Sequence, residues 1–356
     1  MSVSAKPAPE RTISLLIAED SRTQREMLLY LIEEAGGFDV VGTAADGVEV
    51  VEKTEKLRPD IVLMDCHMPR ADGFEATRTI MSRCPTPIVM CSSTLSQDEM
   101  GHTFDAIKSG ALAFLPKPSV EDADATDKAA ALVRTLRLMS EVKVVGRRAQ
   151  PINAARQKQT AAGRTRAFSV ACIAGSTGAP GVIADILSDL EGKPQLPILI
   201  VQHMAAGFVQ GFANWLAGVS KLRVQVATNG TTPMAGEVYL APDDRHMGIN
   251  ERGQIWLSDA PPIEGFRPSA DHLFRSVARF RGATAIGVLL TGMGRDGAAG
   301  LGELRGAGAL TIAQDEATCV VFGMPREAID RGAATCVLSP SDIAQVISSA
   351  RRLAGG

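Results

Sequence analysis

Twice along this chain, short apolar runs alternate with helix-length segments, and a polar, basic stretch parts the two series. From Ile13 to about Leu138 the runs are ISLLIA, FDVVGTA, DIVLMD, PIVMCS and AFLP. From Phe168 onward they are FSVACIAG, PILIVQH, RVQVA, EVYLAP, TAIGVLLTG, ALTIAQ and ATCVLSP. This is the rhythm of a parallel sheet: parallel neighbours need a crossover helix, and strands covered on both faces read as unbroken apolar runs. At 356 residues and 45% hydrophobic content the chain exceeds what one core usually organises, so two α/β domains with separate cores are expected. The boundaries read as 12–138 for the first, 139–166 for a linker and 167–356 for the second. HMGINERGQIWLSD (246–259) breaks the pattern. Its polar ERG turn between alternating runs predicts an antiparallel hairpin on an otherwise parallel sheet.

Local punctuation agrees with this division. Ser21 is placed to cap the first helix, Gly36 and Gly37 to end it, and Pro59 to stop the helix before DIVLMD. The linker carries Lys143, Arg147, Arg148, Arg156, Lys158, Arg164 and Arg166 with little apolar periodicity and no interleaved aromatics, which suits a solvated connector. A formal net charge of −3 gives no whole-chain footprint for nucleic acid. Residues 1–12 lack the apolar core of a signal peptide, and no run approaches the roughly 18–20 apolar residues that span a bilayer. A cytoplasmic protein without membrane insertion is expected. The six cysteines, at 66, 84, 91, 172, 319 and 336, have no CxxC spacing and mostly lie in apolar runs, so they read as small buried thiols rather than a disulfide or zinc framework.

In an open parallel sheet, functional groups gather beyond the carboxyl ends of the strands. In the first series, Glu19 and Asp20 end the first run, Asp65 the third and Ser92 the fourth, and Lys117 follows the fifth. Three clustered carboxylates repel one another unless a divalent cation joins them, and hard oxygen ligands suit Mg²⁺. Cation and Lys117 would neutralise phosphoryl charge while the Asp65 carboxylate attacks, leaving an acylphosphate. His67, two residues past Asp65, is placed to alter the lifetime of that acylphosphate.

In the second series, Ser176 follows FSVACIAG just before a turn and a helix beginning near Pro180, beside exposed backbone N–H groups. A neutral serine needs a base within reach and a third group to orient that base. His203 ends PILIVQH and Asp296 lies in the glycine-rich turn after TAIGVLL, so three candidates share one carboxyl edge. His246 and His272 compete as bases but read as structural. A rival reading takes GMGRDG (292–297) as a dinucleotide fingerprint with Asp315 as its ribose acid, which would make Asp296 a spacer and leave Ser176 and His203 unexplained.

Residues 13 to about 138 resemble a response-regulator receiver domain through LLIAEDS, DIVLMDCHMPRADG and FLPKP. Residues 168 to about 350 resemble the catalytic domain of the chemotaxis protein-glutamate methylesterases, the CheB family, through GSTG, QHM, APDDRHM, PSADHLFRSVA, TGMGRDGAAG and CVVFGMPREA. The resemblance implies a flavodoxin-like, doubly wound five-stranded parallel sheet followed by a Rossmann-like doubly wound domain. It implies Asp65 as phosphoacceptor, Glu19 and Asp20 as the acidic metal pair, Ser92 and Phe114 as switch residues and Lys117 as the phosphate-binding lysine. Mg²⁺ is implied in the receiver and no cofactor in the catalytic domain. The implied chemistry is hydrolysis of glutamate γ-methyl esters on methyl-accepting chemotaxis receptors, with glutamine deamidation in some members, through a Ser176–His203–Asp296 triad. Oxyanion donors are implied near Thr177 and Met293, and a chemotaxis histidine kinase is the implied phosphodonor. Occlusion of the Ser176 cleft by the unphosphorylated receiver is the expected control. A noncatalytic, phosphorylation-gated receptor-binding module on a degenerate hydrolase fold is the contending class. Three positions depart from the family pattern: Glu19 stands where Asp is commoner, His67 places an imidazole two residues past Asp65, and Ala179-Pro180 follows Gly178 where a second glycine is commoner.

Overall fold

A computed structural model describes residues 12–92, 110–118, 125–142, 144, 167–190 and 194–352. From residue 145 the expected linker lies outside the described residues, as does the N-terminal stretch 1–11. The chain forms two compact units that part near residue 148.

The first unit holds a parallel sheet of β1 (Ile13–Ala18), β2 (Phe38–Ala44), β3 (Ile61–Asp65), β4 (Ile88–Ser92) and β5 (Ala113–Pro116), in the order β2-β1-β3-β4-β5. Every run read as a strand is one. The central strands explain the apolar runs: Leu15, Leu16, Ile17, Ile61 to Met64 and Ile88 to Met90 are fully buried, whereas edge strand β2 is largely half-exposed. The crossover helices α1 (Arg22–Ala35), α2 (Gly47–Leu57) and α3 (Gly73–Arg83) each start at a side-chain cap: Ser21, Asp46 and Asp72 accept backbone N–H groups. A fourth helix, α4 (Ala125–Ser140), follows β5. Gly36 ends α1 at φ 62°.

The second unit is built on seven parallel strands: β7 (Val170–Gly175), β8 (Ile198–Gln202), β9 (Arg223–Val226), β10 (Glu237–Leu240), β13 (Ala285–Leu289), β14 (Leu310–Gln314) and β15 (Cys336–Leu338). Their order is β15-β14-β13-β7-β8-β10-β9. The chain therefore runs outward from β7 on one side and restarts beside β7 with β13 on the other. Covering helices are α5 (Ala179–Ser188), α6 (Val209–Ser220), α7 (Ala270–Arg281), α8 (Ala298–Gly306), α9 (Met324–Asp330) and α10 (Pro340–Ser349). A short pair, β6 (Ala167–Phe168) with β16 (Arg351–Arg352), joins the two ends of the unit.

The hairpin is present, as β11 (His246–Ile249) and β12 (Ile255–Ser258), antiparallel as expected. It forms its own two-stranded sheet instead of extending the parallel one. The reason is packing: Met247, Ile249, Ile255 and Leu257 share a core with Leu273, Phe274 and Val277 of α7. A Cβ on Gly248 would lie 2.6 Å from Ser276 Oγ, so glycine permits the close approach that lets Ile249 N–H donate to that hydroxyl at 3.1 Å. Of the cysteines, 66, 84, 91 and 172 are buried, while 319 and 336 are half-buried. Among the described residues no helix is long and apolar enough to cross a membrane.

Gly73 starts α3 directly against β3. A Cβ there would stand 2.0 Å from the Asp65 carbonyl oxygen, a backbone atom that has no easy retreat. Gly73→Ala is expected to cost about 1–3 kcal/mol by overpacking, read as a lower denaturation midpoint of the first unit. An unchanged midpoint would contradict the packing described.

Candidate functional site

Both units place their polar groups where the strand order reverses. In the first, Glu19 follows β1, Asp65 ends β3 and Lys117 follows β5; all three are buried. Lys117 Nζ lies 2.7 Å from Glu19 Oε2 and 2.9 Å from Asp65 Oδ2, and donates to Gln24 Oε1 at 2.8 Å. The backbone N–H of Cys66 donates to Asp65 Oδ1 at 2.7 Å. Carboxylate oxygens of Glu19, Asp20 and Asp65 all fall within 4.8 Å of one another. Burial, reinforced by the Asp65 charge, pushes the Glu19 carboxyl up against the pull of Lys117. Lys117 is itself held above its ordinary range, because the two carboxylates outweigh the effect of its burial. Ser92 is buried at the end of β4, where its carbonyl accepts from Lys117 N–H at 2.9 Å, and Phe114 is half-buried on the paired strand β5. His67 is exposed, edge-on to Phe74 with ring centroids 6.4 Å apart.

In the second unit the reversal falls between β7 and β13. Ser176 follows β7, His203 follows β8, and the turn 290–297 follows β13. Gly175 pairs with Gln202 in register, and His203 N–H donates to the Gly175 carbonyl at 3.1 Å, so the serine and the histidine occupy adjacent strand ends. His203 and Asp296 meet directly: Nε2 and Oδ2 are 2.9 Å apart, with the side chains 8% and 1% exposed. A carboxylate only accepts, so Nε2 carries the proton and Nδ1 keeps its lone pair; Nδ1 is buried and has no hydrogen-bond partner. The ring lies flat against Phe266, centroids 4.1 Å apart and 5° from parallel.

Burial alone would raise the Asp296 carboxyl. Hydrogen bonds from His203, from Ser269 Oγ (2.7 Å) and from the N–H of Ala270 (2.7 Å) outweigh it and hold the group below its ordinary value. Asp271 N–H adds a further bond at 3.1 Å. These donors are the N-cap residue and first turn of α7, where the unpaired amides and the helix dipole favour negative charge. The α8 N-terminus, which a dinucleotide site would leave open for pyrophosphate, is taken: Gly300 N–H donates to the buried Asp271 carboxylate at 2.7 Å. The GMGRDG turn is thus a carboxylate-bearing turn.

The motifs contained further residues whose parts were not legible. Gln202 Nε2 donates to the carbonyls of both Ser176 (2.8 Å) and His203 (2.9 Å), tying the two strand ends together. Thr291 accepts Ser176 N–H on its carbonyl at 3.1 Å, and its hydroxyl lies 3.0 Å from the Thr177 carbonyl. Gln314 in turn accepts Thr291 N–H at 2.8 Å. Met293 is half-buried beside Gly292, whose carbonyl accepts the N–H groups of Gly323 and Met324. All sit inside quoted motifs, but spacing says nothing of contacts made across the sheet. His246 and His272 lie on the hairpin and α7, with their rings stacked 4.6 Å apart.

Residues 171–347 match the family model described as CheB methylesterase, and residues 15–128 match the response regulator receiver domain. A protein-glutamate methylesterase/protein-glutamine glutaminase of Syntrophus aciditrophicus is 44% identical, covering 94% of this chain and 97% of that protein. The chain belongs to this family. A relative of the same name from Myxococcus xanthus is also 44% identical, over 97% of this chain and 98% of its own length. The crystal structure of the Thermotoga maritima CheB methylesterase catalytic domain is 35% identical, covering 51% of this chain and 98% of that one, with a TM-score of 0.49.

A Cβ on Gly292 would stand 2.7 Å from Ser176 Cβ and 2.4 Å from Met324 Sδ. Gly292→Ala is therefore expected to displace the serine and lower esterase turnover by about 100-fold or more, with the unit still folded by circular dichroism. Wild-type turnover in that variant would show that the turn does not position Ser176.

Proposed function

We infer that this chain is a phosphorylation-controlled protein-glutamate methylesterase and protein-glutamine glutaminase of chemotaxis adaptation. The observation that carries the reading is the His203–Asp296 pair beside Ser176, in a chain whose relatives of that name match over nearly their whole length. Its substrates are γ-methyl-esterified glutamates, and glutamines, of methyl-accepting chemotaxis receptors. A chemotaxis histidine kinase supplies the phosphoryl group, and the setting is the cytoplasm, where both partners present these groups.

Ser176 Oγ attacks the side-chain carbonyl while the free Nδ1 of His203 accepts its proton. The oxyanion is stabilised by backbone N–H groups near Thr177 and at Met293, donors of a type worth about 10² to 10³ in rate each. The tetrahedral intermediate collapses as His203 returns the proton to methoxide, releasing methanol, or to the departing amine, releasing ammonia. Water, deprotonated by His203, then cleaves the acyl-serine to free glutamate. Asp296 keeps the imidazole in one tautomer and offsets its positive charge in both steps.

In the receiver, Asp65 is the phosphoacceptor and Lys117 balances the phosphoryl charge. Glu19, Asp20 and Asp65 suit Mg²⁺: the donors are hard carboxylate oxygens within 4.8 Å of one another, and the lysine beside them balances only part of their charge. When bound, the ion supplies charge neutralisation for phosphoryl transfer. Ser92 and Phe114 form the switch face that answers phosphorylation.

Methanol release from methylated receptor, with and without a small-molecule phosphodonor, tests catalyst and switch together. Ser176→Ala is expected to lose at least about 10³ in turnover with the fold intact. Asp65→Asn should keep the basal rate and lose the phosphodonor response. Receptor binding without methanol release by the wild type would favour the noncatalytic module and overturn the reading.

A further inference from the structure

The Asp296 carboxylate is held from two sides, by His203 and by the segment that opens α7. Ser269 stands at the centre of that segment and is fully buried. Its hydroxyl donates to Asp296 Oδ1 at 2.7 Å, while Ala270 N–H donates to Oδ2, the same oxygen that accepts from His203. The serine is in turn fixed by a residue the reaction does not use. Its N–H donates to His246 Nδ1 at 3.2 Å, and His246 Nε2 donates to the Pro261 carbonyl at 3.1 Å. His246 is fully buried and stacked on His272, so it offers one acceptor in one direction. The chain of contacts runs from the hairpin through Ser269 and Asp296 to the His203 ring.

We propose that Ser269 is a positioning residue of the hydrolase, anchored by His246, whose hydroxyl fixes the orientation of Asp296 and tempers its basicity toward the His203 imidazole. The proposal rests on the reading of Asp296 as the partner of a catalytic His203. Its physical content is a division of charge. A carboxylate with a strong donor on Oδ1 shares its negative charge with that donor; without it, more charge falls on Oδ2 and His203 is held more tightly as imidazolium. The active form needs neutral His203, so losing the hydroxyl should move the acid limb of the rate profile to higher pH. Other charged and titratable groups near Asp296 stay in place in such a variant. They are Asp271 with its partner Arg275 on α7, His246 on the hairpin, His272 on α7, and Arg295 with its partner Glu264.

The test uses the full chain and methylated receptor, with kcat, KM and the pH profile of kcat measured for Ser269→Ala, Ser269→Thr and Asp296→Asn. Ser269→Ala should lower kcat about tenfold, the size expected when a buried charged group loses one hydrogen bond, with KM within about twofold. Its acid limb should move to higher pH, and Ser269→Thr should restore both. Ser269→Gly, which a helix start tolerates nearly as well as serine, replaces the alanine variant if that one does not fold. Wild-type kcat and acid limb in a folded Ser269→Ala or Ser269→Gly protein, beside an inactive Asp296→Asn, would overturn the proposal alone. Full activity of Asp296→Asn would overturn the triad reading and the proposal with it.

Discussion

Asp296 is an ionised carboxylate removed almost completely from water, and the catalytic unit is arranged around that fact. Taking such a group out of solvent costs on the order of several kcal/mol, so it persists only where donors surround it. Here four donors converge: the His203 ring, the Ser269 hydroxyl and two amides that open α7. Satisfying the charge thereby ties the start of α7 to the turn after β13 and holds the His203 ring against that turn. The hairpin at 246–258 belongs to the same arrangement, because it packs on α7 and supplies the histidine that receives Ser269 N–H.

The receiver meets a related problem with the opposite balance. Two carboxylates pair with one lysine there and a third lies within 4.8 Å of them, and burial holds Glu19 above its ordinary value. A site of that kind is electrostatically unfinished and accepts further positive charge. Asp296, by contrast, has its donors built in: the His203 ring, the Ser269 hydroxyl and two amides of α7. The two units use one sheet architecture, with the functional groups at the reversal of strand order, yet one is built to be switched and the other to stay fixed.

Much of this was legible in the sequence, for definable reasons. The strands of both parallel sheets declare themselves because residues such as Leu15 to Ile17 and Ala171 to Ala174 are buried on both faces and leave no polar interruption. Asp65, Lys117, Ser176 and His203 stood out because they are polar residues at the ends of such runs, and Asp296 because it lies in the glycine-rich turn that follows one. The hairpin was legible as a hairpin but not as a separate sheet, since its alternation does not reveal that its apolar face belongs to α7. Helix α9 was hidden in a short segment with Pro325 near its start. Gln202, Ser269 and Thr291 were not legible as site residues, because their importance lies in hydrogen bonds between segments far apart in sequence, and an N-cap serine or a strand-end glutamine looks the same with or without them. The dinucleotide reading of GMGRDG fails for a similar reason: only the fold reveals that Asp271 fills the α8 N-terminus.

The central claim is that His203, held by Asp296, makes Ser176 nucleophilic. It is tested most directly by labelling the full chain with a serine-reactive fluorophosphonate and mapping the modified residue by peptide mass. The account predicts one label per chain, on Ser176, formed far more slowly in His203→Gln and more slowly in Asp296→Asn. Labelling of Ser176 at an undiminished rate in His203→Gln, or labelling of a different serine, would contradict it.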